Sequence, residues 1–181
     1  MLARWGLVPF FTTDLKDIKG ISTINARAET ITTAKTWREP MKKRRCLIPA
    51  SFFYEWPKEA KSPKQPYAFE MESGNLFAFA GLWDAWKDAT GYWLQSFAIV
   101  TTEANELMAE IHPRMPCILH PREYDRWLDR DETERLPVDL LRPYESNGME
   151  MHKANPLVNS VKNNGPEMLQ PPPEAQTPGL F

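Results

Sequence analysis

The chain has 181 residues, 42% of them apolar and 25% charged, with a formal net charge of −2. That composition is ordinary for one globular domain, and such a length buries enough surface to need no metal or disulfide staple. No apolar run reaches the roughly 20 residues of a membrane-crossing helix, and two cysteines, Cys46 and Cys117, make no disulfide framework and suit a reducing compartment. The charge is unevenly spread. Residues 1–58 carry eleven Lys/Arg against five Asp/Glu, and the remainder eleven against nineteen. The densest basic run, Lys42-Lys43-Arg44-Arg45, reads either as part of a phosphate-binding footprint or as a solvated loop beside a strand.

In chain order, RWGLVPFF reads as a short strand closed by a proline-limited turn. A polar loop follows, then NARAET with no clear period. TAKTWREPMKK predicts a short helix over 33–43 that Pro40 should end or kink. CLIPASFFYEW (46–56) is rich in strand formers but interrupted by Pro49. YAFEME and NLFAFAGLW, separated by Ser73-Gly74, predict a hairpin. YWLQSFAIVT (92–101) is a long strand. Thr102 is the expected N-cap of a helix over EANELMAEIH that stops before Pro113. MPCIL (115–119) reads as a strand, and PREYDRWLD as a helix with Pro121 in its first turn and Tyr124, Trp127 and Leu128 on its apolar face. Residues 129–148 and the HKANPLVNSVKNNGPEM stretch read as loop, and 171–181 as a Pro-rich disordered tail after a single domain over 1–170.

Tight turns outnumber crossover helices in this order. The expected class is α+β: a mixed, largely antiparallel sheet curling toward a barrel, with a few short helices. A doubly wound parallel sheet lacks its βαβ rhythm here.

Phosphate-cradling glycine loops and the G-x-S-x-G elbow are absent, and the three histidines are scattered. Three polar features stand out against apolar surroundings: Asn25 followed by Arg27 and Glu29; Glu55 enclosed by SFFY and Trp56; and His112 before PRMP. An acid in an aromatic setting can act as general acid or base, histidine can move a proton near neutrality, and asparagine can orient a carbonyl or hydroxyl. The plainer reading is a glutamate at a sheet rim and a histidine closing a helix.

RWGLVP (4–9), NARAET (25–30), RRCLIPASFFYEW (44–56), KQPYAF (64–69), FAFAGLW (77–83), IVTTEAN (99–105), IHPRMPCIL (111–119) and VNSVKNNGPEMLQP (158–171) occur in one order. On these motifs the chain resembles the SOS response-associated peptidase (SRAP) family from residue 4 to about residue 170. The resemblance implies recognition of abasic sites in single-stranded DNA or at single-strand/duplex junctions, with covalent capture of the lesion. In the family the thiol and α-amine of a cysteine exposed by removal of the initiator methionine close a thiazolidine with the sugar aldehyde. Residue by residue, the resemblance assigns catalytic roles to Asn25, Glu55 and His112, and DNA contacts to Arg27 and the aromatics Phe10, Phe11 and Trp56; the basic first half adds Arg4, Arg44 and Arg45, and Arg114 completes the expected DNA-binding set. The resemblance implies no metal, no cofactor, no membrane, a monomer, and a cytoplasmic, nucleoid-associated place.

Family members begin Met-Cys-Gly-Arg and run several dozen residues before the RWGLVP motif, whereas here Leu2 stands second. The expectation is therefore an SRAP-type fold without its N-terminal portion and without the nucleophile. Three readings follow: a lesion-crosslinking protein with impaired chemistry, a non-covalent single-stranded DNA-binding module, or a protein-interaction domain on the same scaffold. Arg4, Arg27, Arg44 and Arg45 are expected to line one face near Asn25, and Glu55 and His112 to share one pocket.

Overall fold

The computed structural model describes residues 3–58, 64–131 and 135–172. Among these, seven strands form one sheet and three another. The larger sheet is built around β6 (Phe77–Lys87) and β7 (Trp93–Glu103), eleven residues each, paired antiparallel. β3 (Arg45–Ala50) and β9 (Ile118–Leu119) add to β6. β1 (Arg4–Trp5) and β2 (Asn25–Arg27) pair with β7 in parallel, and β8 (Arg114–Pro116) pairs with it antiparallel. The smaller sheet has β5 (Tyr67–Met71) between β4 (Phe52–Glu55) and β10 (Met149–Lys153). The class is α+β as expected, but the two sheets stay open rather than closing into a barrel.

Both faces of the larger sheet are apolar, because side chains alternate along each strand. Ala80, Leu82, Ala98 and Val100 face a core with Leu7, Met41, Leu119 and Trp127. Two short helices, α1 (Arg38–Lys43) and α3 (Tyr124–Leu128), close that side. Phe79 and Ile99 face the other way, into a core shared with Phe53 and Phe69 of the smaller sheet and Met108 of α2 (Glu106–Ala109).

Four local expectations change. The 67–83 hairpin does not form: β5 and β6 lie in different sheets, and the turn at Ser73-Gly74 passes the chain between them. Pro40 sits in the first turn of α1, where its missing N–H has no intrahelical partner to lose. The N-cap of α2 is Asn105 rather than Thr102. Its Oδ1 accepts from Met108 N–H at 2.8 Å, while Thr102 remains in β7 opposite Met115. A strand, Met149–Lys153, runs between the two stretches read as loop and takes His152 and Lys153 from the second.

Pro49 is tolerated because β3 is an edge strand, as its ring requires. The chain breaks at Ser51 and crosses to the smaller sheet as β4, which carries Glu55 over the open end of the second core. Of the Pro-rich tail, residues 173–181 lie outside the described residues. No helix among the described residues is long and apolar enough to cross a membrane.

Candidate functional site

A cavity of about 560 Å³ opens between the two sheets. Its floor is Ile48, Phe79, Phe97, Ile99 and Thr101 of the larger sheet, and Phe53 to Trp56 wall it on the other side. Asn25, Glu55 and His112 all line it, although 87 residues of sequence separate the first from the last. Each arrives from a different element. The register of β2 against β7 pairs Asn25 with Ile99, so Asn25 takes the cavity face. Glu55 is the last residue of β4, and His112 follows α2, its backbone N–H donating to Met108 O at 2.9 Å.

Burial among aromatic side chains pushes the Glu55 carboxyl above its ordinary value, opposed by the His112 ring, the Trp56 backbone N–H and Lys64. The balance leaves an acid that holds its proton more readily than a surface glutamate. His112 Nδ1 is held by one residue in two ways. The Arg114 N–H donates to it at 3.1 Å, and the Arg114 carbonyl lies 3.0 Å from it. The ring can thus accept when neutral or donate when protonated without turning over.

Sequence reasoning missed two residues here, Trp5 in the wall and Asn159 behind Trp56. Trp5 is 53% exposed, stacks on Phe97 with ring planes 5° apart, and is oriented by Nε1–H donation to Ile24 O. Asn159 accepts from Trp56 Nε1 at 2.6 Å and donates to Lys64 O at 2.9 Å, holding the indole from 103 residues away. Trp5 could have been found as the aromatic of RWGLVP. Nothing local marks Asn159 as a partner of Trp56.

The arginines do not gather as expected. Arg4 pairs with Ser96 in register, one face away from Asn25, and lines a separate hollow with Tyr92 and Trp93. Arg27 shares the Asn25 face by register and is exposed. Arg44 is an ion pair with the buried Asp84, Nε to Oδ1 3.2 Å but off the hydrogen-bond line. Arg45 is 3% exposed and serves the interior. Its guanidinium donates to the carbonyls of Trp127 and Met41, both at 2.6 Å, and to those of Lys42 and Asp129. These carbonyls end α1 and α3, so the cation caps two helices instead of meeting a phosphate. The +6 balance of the first 58 residues is therefore partly spent inside the fold.

Arg114 lines the cavity, with its guanidinium bound to Glu29 and Thr101. Phe10 and Phe11 do not line it. The Phe10 N–H donates to Asp84 Oδ2, and Asp84 belongs to the opposite sheet face. There the two rings meet edge to face at 5.4 Å, with Lys35 Nζ 4.5 Å from the Phe11 ring and Arg44 5.6 Å from that of Phe10.

Both thiols are withdrawn. Burial pushes Cys46 up to about 11 and Cys117 up to about 12. A second cavity, about 520 Å³, lies between Phe52, Tyr54, Glu70, His152 and the 168–171 segment, and holds none of the catalytic candidates.

The family model described as SOS response associated peptidase (SRAP) matches residues 1–161. The chain belongs to the SRAP family. It is 43% identical over 168 residues to the abasic site processing protein YoqW of Bacillus subtilis, covering 92% of this chain and 74% of that protein. To the mouse abasic site processing protein HMCES it is 32% identical over 198 residues, covering 93% of this chain and 55% of the relative. A crystal structure of a Bacteroides thetaiotaomicron protein matches with a TM-score of 0.82 at 33% identity, over 92% of this chain and 74% of that one. In this SRAP domain, Asn25, Glu55 and His112 come together on one cavity, while the cationic–aromatic patch of Phe10, Phe11, Lys35 and Arg44 lies on the other side of the sheet.

Proposed function

We propose that this SRAP domain binds abasic sites in single-stranded DNA, taking the base-less sugar into the cavity between the sheets. The observation that carries the reading is the convergence of Asn25, Glu55 and His112 on one aromatic-walled cavity whose volume suits a small ligand. Glu55 supplies a proton to the sugar oxygen as the ring opens, which its raised carboxyl favours. His112 takes or returns a proton through its ring, and Asn25 orients the sugar by hydrogen bonding. Trp5 and Trp56 stack on the neighbouring bases, worth about 1–3 kcal/mol per base whatever its identity. Arg27 and Arg4 meet backbone phosphates, and the Phe10–Phe11–Lys35–Arg44 patch takes the strand or duplex beyond the lesion.

The family's covalent step needs a thiol and a free α-amine on one residue. Cys46 and Cys117 are internal to the chain, so neither can close a thiazolidine, and we assign the covalent step to neither.

Fluorescence polarisation tests it with two labelled single strands of one sequence, one carrying a tetrahydrofuran abasic analogue. The abasic strand should bind more tightly, with affinity falling steeply between 50 and 200 mM salt, and Trp56→Ala should reduce the preference. Equal affinity for the two strands would refute the reading.

A further inference from the structure

In NARAET, Asn25 lines the cavity and the proposed function gives Arg27 a phosphate, which leaves Glu29 without a role. Glu29 lies in the 3₁₀ turn Ala28–Thr30 directly after β2, beside the cavity rather than in it. Its two oxygens take both terminal nitrogens of Arg114, at 2.5 and 3.1 Å. The same guanidinium donates to Thr101 O at 2.8 Å and lies 3.3 Å from Thr101 Oγ1. A planar fork held by a carboxylate on one side and a carbonyl on the other has one orientation, which a lysine could not reproduce. The backbone of this same Arg114 supplies both contacts to His112 Nδ1. A continuous set of bonds therefore runs from Glu29 through Arg114 to the ring.

We propose that Glu29 is a positioning residue of the site: by fixing the Arg114 side chain it holds the His112–Pro113–Arg114 turn, and with it the His112 ring, in one orientation facing Glu55. The Arg114 hydrogen bond holds the Glu29 carboxyl below its ordinary range, so the pair is charged throughout the neutral region. The charged groups around the ring are Glu55 from β4, Arg114 from β8, Glu29 from the turn after β2, and Lys64 and Arg27, which act on Glu55 and Glu29. Among them, Glu29 and Arg114 are the two that are joined to the ring by consecutive bonds. The inference deepens the proposed function, but its test needs no DNA, so the two can fail separately.

The chain has three histidines, His112, His120 and His152, so the full chain labelled with ¹⁵N-histidine gives a spectrum simple enough to assign with His120→Gln and His152→Gln. In the unsubstituted chain the His112 ring nitrogens should show a fixed, hydrogen-bonded environment. Glu29→Gln should shift them toward the average of a freely turning ring and leave the His120 and His152 signals in place. Arg114→Lys, which keeps the charge and loses the fork, should produce the same change, and the double variant no further one. The pair is partly solvent-exposed, so the thermal midpoint should stay close to that of the parent. Should Glu29→Gln not fold, Arg114→Lys carries the same comparison. Unchanged His112 signals in the variants, or equal shifts at all three histidines, would overturn the proposal.

Discussion

Replacing Arg45 by methionine should unfold this protein far more readily, and should do nothing specific to DNA binding. Arg45 is buried, and its guanidinium donates to four main-chain carbonyls that end α1 and α3. Methionine keeps most of the aliphatic stem and its packing beside Trp127, but offers those carbonyls no donor. Each hydrogen bond from a charged donor contributes about 1.5–3 kcal/mol, and each carbonyl left unpaired costs about 1–3 kcal/mol. The four share one cation and are not additive, and removing the buried charge recovers part of its desolvation cost. A net loss of about 3–5 kcal/mol results, a large part of the 5–15 kcal/mol typical of a domain. At about 2–4 °C per kcal/mol for a chain of this size, the thermal midpoint should fall by roughly 10 °C. Urea unfolding followed by tryptophan fluorescence should show the midpoint lowered at unchanged slope. Arg45→Lys should fall between, since one ammonium cannot reach both helix ends. In the folded variant, the dependence of single-strand affinity on salt should match the parent, whereas Arg27→Gln should flatten that slope by roughly 0.7. A stability loss under about 1 kcal/mol, or a flattened salt slope for Arg45→Met, would refute the interior role argued here.

Three further expectations rest on single features. Burial disfavours the charged form of Glu55, so its folded value lies above its unfolded one and its contribution to stability is lost as pH rises through that folded value. Glu55→Gln should therefore match the parent's thermal midpoint near pH 4 and exceed it by pH 8; parallel midpoint–pH curves would contradict this. A Cβ at Gly81 would lie 2.7 Å from Ile48 Cδ1 and 2.8 Å from Cys46 Sγ, so Gly81→Ala should cost about 1–3 kcal/mol in denaturant unfolding, and a neutral result would show that β3 yields freely. Neither thiol should react readily with a disulfide reagent at pH 8 in the native protein, and both should react on unfolding, given values pushed up to about 11 and about 12. Rapid native labelling of Cys46 would show its strand to be more open than described.

What was legible in the sequence was what neighbouring residues decide among themselves. Motif order gave the family, the run of strands and tight turns gave the α+β class, and SFFYEW gave the aromatic setting that raises Glu55, whereas the edge position of the strand holding Pro49 came from the sheet order. Local chemistry misled where two partners compete for one segment. Ser73-Gly74 is a sound hairpin turn, yet β5 takes its ladder from β4 and β10, and its Phe69 and Met71 meet Phe77 and Phe79 of β6 face to face across the second core instead. Thr102 is a good N-cap, but the ladder to β8 keeps it extended and passes the role to Asn105. The basic run 42–45 looked uniform because sequence records charge and not direction. In β3 and the turn before it, Arg44 meets Asp84 and Arg45 turns inward to two helix ends. Register was likewise invisible: Arg4 lies opposite Ser96 and Asn25 opposite Ile99, an odd offset along β7 that puts Asn25 on the cavity face and Arg4 on the other. The tertiary structure alone brought Asn159 to Trp56 and Glu29 to Arg114, because a hydrogen bond between residues 103 or 85 positions apart depends on which strands flank β5 in the smaller sheet and β7 in the larger one, and no local preference encodes that.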